Sequence, residues 1–167
     1  MAETKYGKHI IREPIVKTDF SPDVHLCGEE NCAGGNYPNF PVEISIICVA
    51  EPRSMSVQHA HDYDQILLFL GGNPTNFFEF GAEIEIPLGQ EAEKHIIDTS
   101  TIVFIPKGLL HCPLEFKRVD KPILFMHLSL SPEYTRATDD MTGHPPFRER
   151  YSLEEVLKLR KGIPKGK

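Results

Sequence analysis

"VQHAHDYDQILLFLGG", Val57 to Gly72, sets two histidines two residues apart and a glutamine four residues later, directly ahead of the apolar run Ile66 to Leu70. Apolar side chains are stabilised by dry neighbours, so two imidazoles and an amide beside that run need a reason. Successive side chains of a strand alternate faces, so a strand from Ser56 to His61 points His59 and His61 the same way. The two then stand roughly 7 Å apart along the strand and can share one metal ion. Gln65 opens the next strand after a turn through Asp62, Tyr63 and Asp64, and a hairpin there folds it back beside the histidines. A lone His-x-His also occurs on ordinary polar strand faces, so the pair by itself decides little.

The pattern is completed further along the chain. "TIVFIPKGLLHCPLEF", Thr101 to Phe116, carries Pro106, Gly108 and His111 directly after an apolar strand. Proline and glycine set a turn of defined geometry, and His111 starts the next strand. Three imidazoles and one amide from separate strands make a sensible ligand set for a divalent transition metal, with positions left for water, substrate or dioxygen.

The segments between are strand-like. Val42–Ala50, Gln65–Leu70, Gly81–Leu88, Lys94–Thr99, Thr101–Pro106 and Pro122–Leu130 are short, β-rich and bounded by turn residues, in a chain with 14 prolines and 12 glycines. Such spacing predicts a sandwich or barrel. In "GAEIEI" the alternation of Glu83 and Glu85 with Ile84 and Ile86 predicts a strand with one wet face. One helix is expected, in "YSLEEVLKLRKG", where Ser152 and Glu155 form a capping box and Gly162 ends the run. "KHIIREPIV" is expected as an edge strand interrupted by Pro14, and Ser21 to Pro41 as loop. In that loop His25, Cys27 and Cys32 lack the second ligand pair that a zinc knuckle needs.

The 167 residues fit an N-terminal arm over 1–41, a core over 42–130 and a C-terminal extension over 131–167. A formal net charge of −6 argues against a nucleic-acid-binding surface, and no apolar run reaches the length of a membrane-spanning helix. "MAETKYGKHI" has no apolar export region, so the expected compartment is the cytoplasm and the four cysteines are expected to be reduced. Cys48, within "ISIICVA", is expected as a buried small hydrophobe. Cys112, next to His111, is expected to face away from it.

The two motifs together resemble those of the cupin superfamily, over about Val42 to Leu130. The first, His-x-His followed by an acid and a glycine, reads here as His59, His61, Gln65 and Gly72. The second, Pro-x-Gly-x-x-His, reads as Pro106, Gly108 and His111. The resemblance implies an all-β, jelly-roll β-barrel with the metal inside its mouth, held by His59, His61, Gln65 and His111. It also implies pairing into a homodimer. Two positions depart from the pattern: Arg53 stands where the family has a leading glycine, and Gln65 where it has glutamate. An amide brings no charge, so the ion keeps its full dipositive charge for outer ligands, which favours an anionic substrate.

Two further residues are candidates for chemistry. Tyr63, in the turn between the ligands, can donate to a bound anion or act as a general acid; the plainer reading is a rim tyrosine. His127 shares a strand face with Ile123 and Phe125 and can serve as acid or base inside the barrel, or as a core histidine satisfied by a carbonyl. Phe69, Phe104 and Met126 are candidate pocket walls. The cofactor expected is one Fe(II), Mn(II), Ni(II) or Zn(II), since imidazole and oxygen donors suit all four. Two functions fit: an enzyme acting on a small metabolite by dioxygenase, isomerase, lyase or decarboxylase chemistry, or a non-catalytic module that senses or stores a metabolite or metal.

Overall fold

The computed structural model describes residues 5–11, 15–17, 22–26, 40–132, 136–138 and 147–149. After a single 3-10 turn at Gly7–His9 the described elements are all strands. They are β1 (Ile15–Lys17), β2 (Pro22–Leu26), β3 (Glu43–Val49), β4 (Arg53–Met55), β5 (Gln65–Gly71), β6 (Ala82–Leu88), β7 (Glu93–Ile97), β8 (Thr101–Ile105), β9 (Leu114–Val119), β10 (Ile123–Ser129), β11 (Arg136–Thr138) and β12 (Phe147–Glu149). The helix expected at Ser152 to Gly162 lies outside the described residues. Among the described residues no helix is long and apolar enough to cross a membrane.

The strands form two main antiparallel sheets, ordered β1-β2-β3-β10-β5-β8 and β4-β9-β6-β7, and β11 pairs with β12. From β3 to β10 the chain passes back and forth between the two sheets, and four strands fall in each. This is the jelly-roll arrangement that the resemblance implies. Alternation drives it. β3 and β5 both show a strictly alternating burial pattern, with Ile47, Val49, Leu67 and Phe69 turned inward. β6 turns Ile84 and Ile86 inward and leaves Glu83 and Glu85 on the wet face. Side chains from both sheets meet in one core, where Phe69 stacks on Phe125 at 5.0 Å and Phe116 meets Phe125 edge-on at 5.9 Å between ring centres.

Several expectations fail, each for a local reason. Ser56 to His61 is not a strand. β4 stops at Met55, and Ser56 has a φ of 69°, a left-handed backbone that turns the chain out of the sheet. Nor does Gln65 return in a hairpin: β5 pairs with β10 and β8 in the opposite sheet from β4. The segment read as loop contains β2, which pairs with β3. Of the edge strand expected over Lys8 to Val16, Lys8 and His9 lie in the 3-10 turn instead, residues 12–14 lie outside the described residues, and Ile15 and Val16 do fall in β1, at the edge of its sheet. The strand expected to start at His111 begins only at Leu114, as β9, while His111 itself pairs as an isolated bridge. Cys48 is half-buried on the outer face rather than in the core, and it is Cys112 that joins the core.

Candidate metal centre

The inner surface of the jelly roll changes character along its axis. Toward Val49, Phe69 and Ile123 it is wholly apolar, while at the other end it carries Glu43, Ser45, Gln65, His127 and Ser129. The strands' alternation puts these polar residues on the same face as the core. At this end the two histidine segments enter. His59 and His111 pair as an isolated antiparallel bridge, with His59 N to His111 O at 3.1 Å and His111 N to His59 O at 2.9 Å. Gly108 N donates to His61 O at 2.8 Å, and Lys107 N to Asp64 Oδ1 at 2.8 Å. The two motifs are therefore joined backbone to backbone, and Asp64, a turn residue by sequence, anchors the second turn to the first.

His59, His61 and His111 are all buried, and their ligand nitrogens lie within 4.8 Å of one another. The rings are tilted rather than stacked, with interplanar angles of 79°, 54° and 47°. Nδ1 of His59 is 2.6 Å from Val57 O, and Nδ1 of His111 is 2.9 Å from Leu109 O. A carbonyl only accepts, so in both rings Nδ1 carries the proton and Nε2 the lone pair. That is the tautomer a metal ligand needs. Two nitrogens on one ion at about 2.1 Å are about 3 Å apart at right angles and about 4.2 Å apart when opposite, so binding an ion draws the widest pair together by at least about half an ångström. The cluster is a set of residues that could hold a divalent ion.

Gln65 is buried at the start of β5, with its Nε2 3.4 Å from Ser129 Oγ. Tyr63 is buried rather than at the rim, and its ring stacks on His61 at 4.8 Å and 12°. His127 lies on the inner face of β10, and its Nε2 is 3.0 Å from Glu43 Oε1. This contact is to a carboxylate, where the core-histidine reading expected a backbone carbonyl. Of the expected pocket walls only Phe69 lines the interior. Met126 alternates to the outer face, and Phe104 is 55% exposed on edge strand β8. Glu43 and Ser129 are polar interior residues that sequence reasoning missed. Their only signal was a charged and a small polar residue at inward positions of apolar strands. Of the three residues in the first loop, His25 falls in β2, and Cys27 and Cys32 lie outside the described residues.

No family model matches the chain, and no curated protein matches it. Among solved structures it is similar to a cupin-like protein from Thermotoga maritima, at 18% identity and a TM-score of 0.44, over 85% of this chain and 86% of that one. It is similar to a cupin superfamily protein from Desulfitobacterium hafniense, at 15% identity and a TM-score of 0.42, over 65% and 77%. It is similar also to a recombinant oxalate oxidase in complex with glycolate, at 15% identity and a TM-score of 0.44. That match covers 66% of this chain and 51% of the oxidase, so the chain spans about half the oxidase's length. At such identities these are likenesses of fold alone, and only the residues of the site bear on its chemistry.

Proposed function

We propose that the protein is a mononuclear metal-binding cupin that acts on a small anionic metabolite by dioxygenase, isomerase, lyase or decarboxylase chemistry. The observation that carries this reading is the convergence of His59, His61 and His111 inside the jelly roll, with ligand nitrogens within 4.8 Å of one another. Burying three imidazoles without a shared task is costly. Fe(II), Mn(II), Ni(II) and Zn(II) all suit such donors, and when bound any of them supplies a Lewis acid, the first two also redox chemistry.

In this reading His59, His61 and His111 hold the ion and Gln65 supplies an amide oxygen. All four ligands are neutral, which favours an anion at the remaining positions. Tyr63 fixes the His61 ring by stacking and can offer its phenol to that anion. His127, on the inner face of β10 with its Nε2 against Glu43, is the residue placed to exchange a proton with a substrate. The homodimer implied by the resemblance belongs to the same proposal; a single-chain mass in light scattering at micromolar concentration would refute it.

Metal analysis of the purified protein, followed by oxygen uptake and product analysis with a panel of carboxylate and phenolic metabolites, tests the function. One equivalent of a first-row metal and turnover of at least one anionic compound are expected. Metal uptake unaffected by His111→Ala would overturn the site. Tight binding of panel members by each metal form, with no turnover, would replace the enzyme by a binding module.

A further inference from the structure

Glu43 opens β3 with its side chain on the inner face and is only 2% exposed. A carboxylate buried this deeply needs donors, and β10 provides two. Ser129 Oγ is 2.8 Å from its Oε2, and His127 Nε2 is 3.0 Å from its Oε1. Ser129 sits between two strands, directly opposite Glu43 on β3 and directly opposite Gln65 on β5. Its hydroxyl is also the group 3.4 Å from Gln65 Nε2. The three side chains thus form one row across the sheet.

The chemistry of the row sets its direction. A carboxylate only accepts, and a hydroxyl has one proton to give. With that proton given to Glu43, Ser129 can only accept from Gln65, so the amide must present its NH2 to Ser129. The amide oxygen then points away from Ser129. We infer that Glu43 is a positioning residue: acting through Ser129, it sets the flip of the Gln65 amide so that the oxygen, not the nitrogen, is offered to an ion held by His59, His61 and His111. The inference rests on the metal reading above and deepens it. It also accounts for the departure at Gln65, since the negative charge missing from the ligand position stands one hydroxyl further out.

The test uses the full chain, freed of metal, in two arms. In the first, side-chain amides labelled with nitrogen-15 are followed by NMR without metal. One glutamine NH2 signal, identified by its loss in Gln65→Ala, is expected to be protected from solvent exchange, and to shift and exchange faster in both Glu43→Gln and Ser129→Ala. In the second arm Co(II) alone is titrated. Each variant is expected to bind it about tenfold or more weakly, with the visible absorption of bound Co(II) converted to that of Gln65→Ala. An unchanged Gln65 amide signal in both variants overturns the inference whatever the metal does. So does wild-type Co(II) affinity and absorption in Ser129→Ala. Failure of the wild type to take up Co(II), with the amide signal still responding, overturns the metal reading and leaves the Glu43 row standing. If Glu43→Gln does not fold, Ser129→Ala, which removes only a hydroxyl, decides by the same readouts.

Discussion

His59 and His111 share a device that lies entirely within their own turns: each ring gives its Nδ1 proton to the carbonyl two residues back. Ring orientation and tautomer are therefore set before any ion arrives, which raises affinity by sparing that ordering. Replacing His111 by alanine is expected to abolish uptake of a stoichiometric metal while circular dichroism still reports a β-fold, since the backbone bridge to His59 needs no side chain. Gly108 plays a backbone role. Its φ is 81°, and a Cβ added there would meet nothing within 4 Å. Gly108→Ala should thus cost only the left-handed strain of an L-residue, about 1–2 kcal/mol, read as a shift in a urea midpoint at unchanged slope. Both roles were partly legible. Pro-x-Gly-x-x-His names the turn and the ligand, because turn chemistry is local. That Tyr63 would lie flat on His61 was not, because stacking depends on where the next strand carries the chain.

At the scale of elements, charge on the outer surface stitches one sheet together. Glu85 on β6 is bonded to Lys117 on β9 and lies 3.0 Å from Lys94 on β7. The Lys117 hydrogen bond, then that of Lys94, holds the Glu85 carboxyl below its ordinary range, and Glu85 in turn raises Lys117. Lys121 likewise lowers Glu79 across the loops, with Asn73 assisting. A carboxyl whose folded value is depressed stabilises the fold above its unfolded value, 4.5, and loses that contribution as the pH falls below it. Glu85→Gln should therefore lower the melting temperature slightly at neutral pH, and the difference from wild type should vanish in acid. A gap that persists in acid would assign the effect to packing instead. The alternating glutamates of β6 were readable as a wet face. That Lys94 on β7 and Lys117 on β9 would answer Glu85 was not, because opposition between strands depends on register.

Over the whole molecule the interior is divided into an apolar floor and a polar mouth. Phe69, Phe116 and Phe125 form the floor, drawn from both sheets, and Phe69 is completely buried. Phe69→Ala should cost about 3–5 kcal/mol and lower the melting temperature by roughly 10 °C. A loss below about 1 kcal/mol would mean that the two sheets close over the gap. Alternation, turn residues and two spaced motifs determined the all-β class, the strands β3, β5 to β8 and β10, and the three histidines. Those signals are carried by residues close together in the chain. The rest was decided by tertiary structure. The left-handed Ser56 sends the chain from one sheet to the other, so Gln65 reaches the mouth by crossing rather than by a hairpin. Ser129 meets Glu43 from 86 residues away and Gln65 from 64. Local sequence says which face a residue occupies, but opposition across strands depends on register, and register exists only once the whole jelly roll has closed.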